Sequence, residues 1–99
     1  MDIERLTQAM TSAVRSDMKD LTPRQLAILL NVNSEPATVR GLASALRIGK
    51  PAVTRATCTL VRHGFITKKT VEKDARDRVI NVTDAGKDYI NRYADLLAA

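Results

Sequence analysis

The chain has 99 residues, enough for one small domain, and 44% of them are hydrophobic whereas only 3% are aromatic. A core of aliphatic side chains favours helices over a β-sandwich, and the scarcity of aromatic rings argues against base-stacking platforms for single-stranded nucleic acid. The single cysteine excludes an internal disulfide framework and a Cys-based zinc site, and it suits a reducing cytoplasm.

The net charge of +5 is concentrated in one third of the chain. Residues 37–69 contain seven of the 16 cations and none of the 11 acids, whereas the remaining residues hold nine cations and all the acids. A segment this one-sided indicates a binding site for a polyanion. The alternative is a solubilising surface, although such surfaces usually mix both signs of charge.

Two helices are predicted in the first third of the chain. Apolar residues recur every three or four positions over residues 2–18, which also lack the long apolar run of a signal peptide or membrane span. The second helix is predicted over residues 23–32, with Thr22 as its N-cap and Pro23 in its first position. Its inner face is predicted to consist of Leu26, Leu29 and Leu30.

A helix-turn-helix is predicted next. The third helix spans residues 39–46, with Thr38 as its cap, and the fourth spans about residues 51–63 before Gly64 ends it. Gly49 lies in the short turn between them, where it can supply an unusual backbone angle. The side chains of the fourth helix expected to pack inward are Val53, Thr57, Leu60 and Val61.

A β-hairpin and a last helix complete the predicted fold. Alternating residues indicate strands over residues 65–71 and 78–82, joined by a charged tip, and Thr83 caps a helix over about residues 84–98. A helix-turn-helix followed directly by a hairpin is a winged helix. The prediction is therefore a single, mainly α domain over the whole chain, with a small hairpin wing at about residues 66–82.

The first turns of the fourth helix carry the residues suited to reading DNA, because this end of the second helix enters the major groove in helix-turn-helix proteins. Ala52 and Thr54 are small and can touch a thymine methyl, and Arg55 can reach guanine in bidentate fashion. Lys50 and the helix amino terminus suit a phosphate. Two alternatives stay open: Arg55 contacts only phosphate or pairs with an acid, and Thr54 only bonds within its helix.

The hairpin tip adds a second set of candidates. Arg76 suits a narrow minor groove, and Asp74 is expected to brace it, unless the tip is simply a solvated, mobile loop. The predicted DNA-contacting residues are Thr38, Arg40, Lys50, Pro51, Ala52, Thr54, Arg55, Arg62, Lys73 and Arg76. Lys68 and Lys69 are expected to contribute to affinity for every sequence alike.

No catalytic, metal or cofactor site is predicted. Cys58 is either a thiol switch in a basic setting or, more commonly, a small packing residue. His63 precedes a glycine and is expected to end a helix, since no second histidine exists to build a metal site. Paired carboxylates and a phosphate-cradling loop are both lacking, which argues against an enzyme.

Several motifs in this order resemble the MarR family of bacterial transcription regulators. They are Leu21-Thr22 with Gln25, the run from Leu42-Ala43 to Pro51-Ala52-Val53-Thr54-Arg55, the pair Gly64-Phe65, the wing Asp74-x-Arg76, and Thr83-x-x-Gly86. The resemblance covers about residues 21–90. It implies a winged helix, a homodimer on a palindromic operator, the fourth helix as recognition helix, and Arg76 in the minor groove.

Two departures from the family pattern affect these expectations. Ala75 stands where family members often carry a wing arginine, which implies fewer wing contacts. The terminal helices, about residues 2–18 and 84–98, are shorter than the family's dimerisation region. Because the family's effector pockets lie between that region and the DNA-binding lobe, the sequence does not decide whether this chain binds a small-molecule effector. Their apolar stripes are still expected to pack together and against a second copy; these are Ile3, Leu6, Met10, Val14, Tyr89, Ile90, Tyr93, Leu96 and Leu97.

Two functions remain in competition at this point. The first is a sequence-specific, dimeric regulator that binds double-stranded DNA. The alternative is a winged-helix module that binds protein within a transcription or replication complex. The acid-free residues 37–69 favour the first.

Overall fold

The computed structural model describes residues 2–71 and 74–99, except for the side chains of residues 71 and 74–77. Five helices and a small antiparallel sheet are arranged as a winged helix, which confirms the predicted fold class. None of the described helices combines the length and the hydropathy that crossing a bilayer requires. The elements are α1 (Ile3–Arg15), α2 (Pro23–Ser34), β1 (Ala37–Thr38), α3 (Val39–Leu46), α4 (Lys50–Arg62), β2 (Ile66–Val71), β3 (Asp74–Val82) and α5 (Asp84–Ala98).

Three threonines begin helices, as predicted. The Oγ1 atoms of Thr22, Thr38 and Thr83 each accept a hydrogen bond from the backbone N–H three residues later. At α2 the cap is reciprocal, because the Gln25 side chain also accepts from the Thr22 backbone N–H at 2.9 Å. These bonds satisfy N–H groups that a helix amino terminus would otherwise leave without partners.

The first helix is shorter than predicted. Asp2 is its N-cap, accepting from the Arg5 backbone N–H at 2.7 Å, and the helix ends at Arg15 instead of residue 18. The Ser16 hydroxyl causes this early end, because it donates to the Ala13 carbonyl and accepts from the Met18 N–H. Met18 is nevertheless buried, so the turn delivers it to the core from outside the helix.

The turn between α3 and α4 has its unusual backbone angle at Arg47 and not at Gly49, where the sequence suggested it. Arg47 has the left-handed backbone conformation, with φ of 55°, whereas Gly49 has φ of −69° and serves as the N-cap of α4. The helix therefore begins at Lys50, one residue before the predicted start. Gly64 does have a left-handed φ of 78°, which confirms it as the stop after α4.

The wing belongs to a three-stranded antiparallel sheet in the order β1-β3-β2. The prediction missed β1, in which Ala37 pairs with Ile80 and Thr38 pairs with Val79. Two residues are too few to show strand alternation, and the preceding Pro36 has the signature of a turn. The third strand, β3, is also longer than predicted because it begins at residue 74.

One apolar core joins the helices to the sheet, and two predicted members of it are wrong. Leu30 is 44% exposed, because α2 turns Ile28, Leu29 and Val32 inward instead. Val61 is 41% exposed beside a groove described below. The largest fully buried side chains are Ile28, Leu29, Leu42, Leu60, Ile66, Ile80, Val32, Val53 and Thr57.

The start of α5 is joined to the end of α4 and the start of β2. The Thr83 backbone N–H donates to the Phe65 carbonyl at 3.0 Å, and the Thr83 hydroxyl donates to the Gly64 carbonyl. Gly86 lies so close to Phe65 that an added Cβ would clash with its carbonyl oxygen. We call residues 64–65, Thr83 and Gly86 the α5 joint.

The connection between α1 and α2 is fastened to α5. The Tyr89 hydroxyl donates to the Lys19 carbonyl, and its ring packs on Phe65 at a centroid distance of 4.7 Å. Burial raises the pKa of the Tyr89 phenol, so its hydroxyl stays protonated and able to donate. An exposed ion pair between Arg92 and Asp17, at 3.0 Å, adds little to stability.

We expect Gly86→Ala to destabilise the domain by about 1–3 kcal/mol, because the added methyl group meets the backbone carbonyl of Phe65. Urea unfolding followed by circular dichroism measures the change. Gly49→Ser is the control, since a Cβ there makes only an ordinary contact at 3.5 Å and serine is a favourable N-cap. Equal midpoints for wild type and Gly86→Ala would contradict the close packing at the α5 joint.

Candidate nucleic-acid interface

The buried side of α4 fixes this helix against the core. Its buried residues are Val53, Ala56, Thr57 and Leu60. The Thr57 hydroxyl is fully buried and donates to the Thr54 carbonyl at 3.0 Å, so its burial leaves no donor unsatisfied. The predicted inward face is therefore confirmed except for Val61.

The opposite side of α4 presents most of the predicted reading residues to solvent. Lys50, Pro51, Thr54, Arg55, Cys58 and Arg62 are exposed, and Ala52 is half-buried. The helix also has no acid in its first turn. Its amino-terminal half thus combines small side chains, a free helix end and a long cation.

Arg55 and Arg62 share one face of α4, because seven residues are close to two full turns of a helix. The Arg62 guanidinium donates to the Thr59 hydroxyl at 3.2 Å, which holds it along the helix. Among the described side chains, the salt bridge is the one between Arg92 and Asp17. None of the described carboxylates is therefore paired with a cation of α4.

An open groove of about 840 Å³ lies between α4 and the sheet. We call it the α4–sheet groove. On one side it is lined by Thr54, Arg55, Cys58, Val61 and Arg62, and on the other by Lys68 and Arg78. The described lining thus contains four cations and no acid.

Arg78 was not among the predicted contact residues, and Lys68 was expected only to add affinity. Arg78 belongs to the charge-balanced residues 70–78, so its charge gave no local signal. Strand pairing brings Arg78 opposite Thr70 and places it on the groove side of the sheet. Alternation could have placed both on the inner face of the sheet, because Lys68 has the parity of Ile66 and Arg78 has that of Ile80, but only the fold shows that this face borders α4.

Thr38 and Arg40 lie apart from the α4–sheet groove. Thr38 uses its hydroxyl to cap α3, accepting from the Gly41 N–H at 3.0 Å, and it lines a different depression that also contains Glu35. Arg40 is exposed in the first turn of α3. The structure therefore brings Thr54, Arg55 and Arg62 together but separates Thr38 from them.

The predicted wing contacts cannot be placed in the same way. Lys73 lies outside the described residues, and the side chains of Asp74 and Arg76 lie outside the described side chains. Their assignment therefore stays a prediction.

The groove offers little for chemistry on a bound molecule. Cys58 is exposed there, and His63 is the C-cap residue of α4 with its ring 5.7 Å from that of Phe65. Among the described residues, no three His, Cys, Asp or Glu side chains lie together in a way that could hold a metal ion. The arrangement can bind an anion, and its exposed side chains suit recognition.

Solved structures with the same fold include three bacterial proteins. The adhesin competence repressor AdcR from Streptococcus pyogenes is 25% identical, with a TM-score of 0.69, covering 94% of this chain and 68% of that one. YusO from Bacillus subtilis is 20% identical, with a TM-score of 0.79, covering 96% and 66%. MepR from S. aureus, in complex with DNA, is 19% identical, with a TM-score of 0.75, covering 96% and 74%.

The alignments therefore span between 66% and 74% of the length of these three proteins. A search of curated protein sequences finds no match to the chain. A sequence model of the MarR family, however, matches residues 19–77, which is more than half of the chain and includes α2 to α4 and the first strand of the wing. The chain belongs to the MarR family.

Proposed function

We propose that this protein is a transcription regulator that binds a specific sequence of double-stranded DNA, with α4 in the major groove. The observation that carries the proposal is the exposed, acid-free amino-terminal half of α4, held from behind by the core. Membership of the MarR family supports it, as does the fold shared with MepR, which was solved in complex with DNA.

Sequence reading is assigned to the first turns of α4. Ala52 and Thr54 let the helix backbone approach the bases and can contact a thymine methyl. Arg55 is exposed and long enough to reach the O6 and N7 atoms of guanine. The Thr54 side chain is exposed, and the bond from the Thr57 hydroxyl goes to the Thr54 carbonyl.

Phosphate binding is assigned to the cations around this helix. Lys50 is the first residue of α4, where the helix dipole also favours an anion. Arg62 is exposed at the far end of α4, and Arg40 is exposed on α3. Pro51 lies in the first turn of α4, where the fixed backbone angle of proline suits the start of a helix. Lys73 and Arg76 are proposed to reach the backbone and the minor groove from the wing.

A homodimer is proposed because α1 carries an apolar stripe that its own chain leaves uncovered. Ala9 and Ala13 pack inward beside α5, whereas Ile3 and Val14 are 77% and 75% exposed, and Leu6 and Met10 are 39% and 38% exposed. Covering such a stripe with a second copy removes apolar surface from water at about 25 cal/mol per Å². Two such copies suit a palindromic operator with half-sites roughly 10 bp apart.

The alternative, a module that binds only protein, is not favoured, because it gives no reason for the acid-free cations of α4. An enzymatic function has no support in the described side chains. A bacterial, cytoplasmic setting stays a prediction from the single cysteine and the family.

Whether the protein also binds a small-molecule effector is left undecided by the described residues.

Selection from a pool of random duplexes is expected to yield a palindromic sequence. Arg55→Ala is expected to reduce the preference for this sequence over a scrambled one by about 1–3 kcal/mol, because it removes a bidentate contact to guanine. The measurement is the dissociation constant for the selected and a scrambled duplex. The matched control is Arg62→Ala, on the same face of α4, which should weaken both duplexes alike. Full discrimination by Arg55→Ala would refute the base-reading role.

Analytical ultracentrifugation at micromolar protein is expected to give twice the chain mass of 10.9 kDa. Val14→Glu should produce monomers, because it places a charge on the apolar stripe without touching the core. Gln8→Glu adds the same charge to the polar side of α1 and should remain dimeric. A wild-type protein that sediments as a clean monomer would contradict the proposed dimer.

A further inference from the structure

We propose that the α4–sheet groove seats one sugar–phosphate strand of the DNA, and that Lys68 and Arg78 bind its phosphates from the wing side. This inference rests on the proposed function and deepens it. It makes the base of the wing, and not only its tip, part of the interface.

The sheet register places these two cations on the same face. Antiparallel partners share a face of a sheet, and the pairs here are Ile66 with Val82, Lys68 with Ile80, and Thr70 with Arg78. Ile66 and Ile80 are buried in the core. The sheet face that packs on the helices therefore extends beyond the core and forms the side of the groove that carries Lys68 and Arg78.

The same register separates Lys68 from Lys69. Lys69 pairs with Val79, and adjacent residues of a strand point to opposite faces. Lys68 is half-buried in the groove, whereas Lys69 is exposed and does not line it. Two neighbouring lysines that look equivalent in the sequence thus receive different roles.

The length of the opposite wall fits a short stretch of backbone. Arg55 and Arg62 are seven residues apart, or roughly 10 Å along the helix axis. Successive phosphates of one strand are farther apart along the backbone than their roughly 3.4 Å rise along the duplex axis, so this wall spans fewer than about three phosphates, with Arg55 at the end nearest the bases.

The groove floor also fits a nucleic-acid strand better than a free inorganic anion. Val61 is 41% exposed and lines the groove with Cys58, and on α4 it lies about 100° or more from Arg55 and Arg62, toward the buried side of the helix. An apolar floor under a basic rim matches the deoxyribose and phosphate groups of one strand. This occupant also accounts for the exposure of Val61, which the amphipathic pattern of α4 alone did not predict.

The first test measures how DNA affinity depends on salt. Lys68→Gln and Arg78→Gln should each weaken selected and scrambled duplexes alike and lower the slope of log K against log salt by about 0.9. Lys69→Gln is the control with the same charge change one residue away on the other face. An equal loss of slope for Lys69→Gln, or an unchanged slope for the other two, would overturn the proposal.

The second test uses Cys58, the single thiol, as a probe of the groove. Bound duplex should slow alkylation of Cys58 by a maleimide at least tenfold, because the strand covers it. In the double variant Cys58→Ser with Thr67→Cys, the thiol is on the exposed opposite face and should stay reactive.

The two tests separate the failure of this inference from that of the proposed function. A wild-type protein that binds no duplex at low salt would refute the DNA-binding function itself. A protein that binds duplex while Cys58 keeps its full reactivity would refute only the seating of a strand in the groove.

Discussion

The interface depends on how α4 is held from behind. Val53 and Leu60 are fully buried, and truncating side chains of this kind costs about 2–5 kcal/mol. Thr57 is buried among them without penalty because its hydroxyl is bonded within the helix. The exposed residues of α4 are therefore carried by a rigid support, which a site needs if it must match the fixed spacing of base edges.

Local hydrogen bonding explains why much of the fold could be predicted. The caps at Thr22, Thr38 and Thr83 each involve a backbone N–H only three residues away, so the sequence contains the whole interaction. Features that depend on distant residues were missed. The strand β1 exists only because β3 pairs with it. Arg47 was missed for a different reason, because it ends α3 in a left-handed conformation, with the Ile48 N–H bonded back to the Ala43 carbonyl, at a position where glycine is the usual residue.

The candidate interface likewise combines features that the sequence predicts with features that depend on the fold. The concentration of cations within residues 37–69 was visible as composition, and α4 indeed presents its share of them to solvent. Arg78 was not visible in this way, since it lies among acids in the sequence, and only the fold shows that its face of the sheet borders α4. Exposure of Val61 was also missed, because helical periodicity cannot tell which part of an apolar face a neighbouring sheet leaves open.

The α5 joint has a consequence for how the domain opens. Thr83 bonds to both Gly64 and Phe65, and Gly86 packs directly on the Phe65 carbonyl, so α5 cannot detach at its start without disturbing the beginning of β2 and the end of α4. Segments tied in this way exchange their amide hydrogens together, as one cooperative unit. By contrast α1 places only Ala9 and Ala13 among its residues in buried positions. In a single chain, deuterium should therefore enter α1 early and the joined elements late.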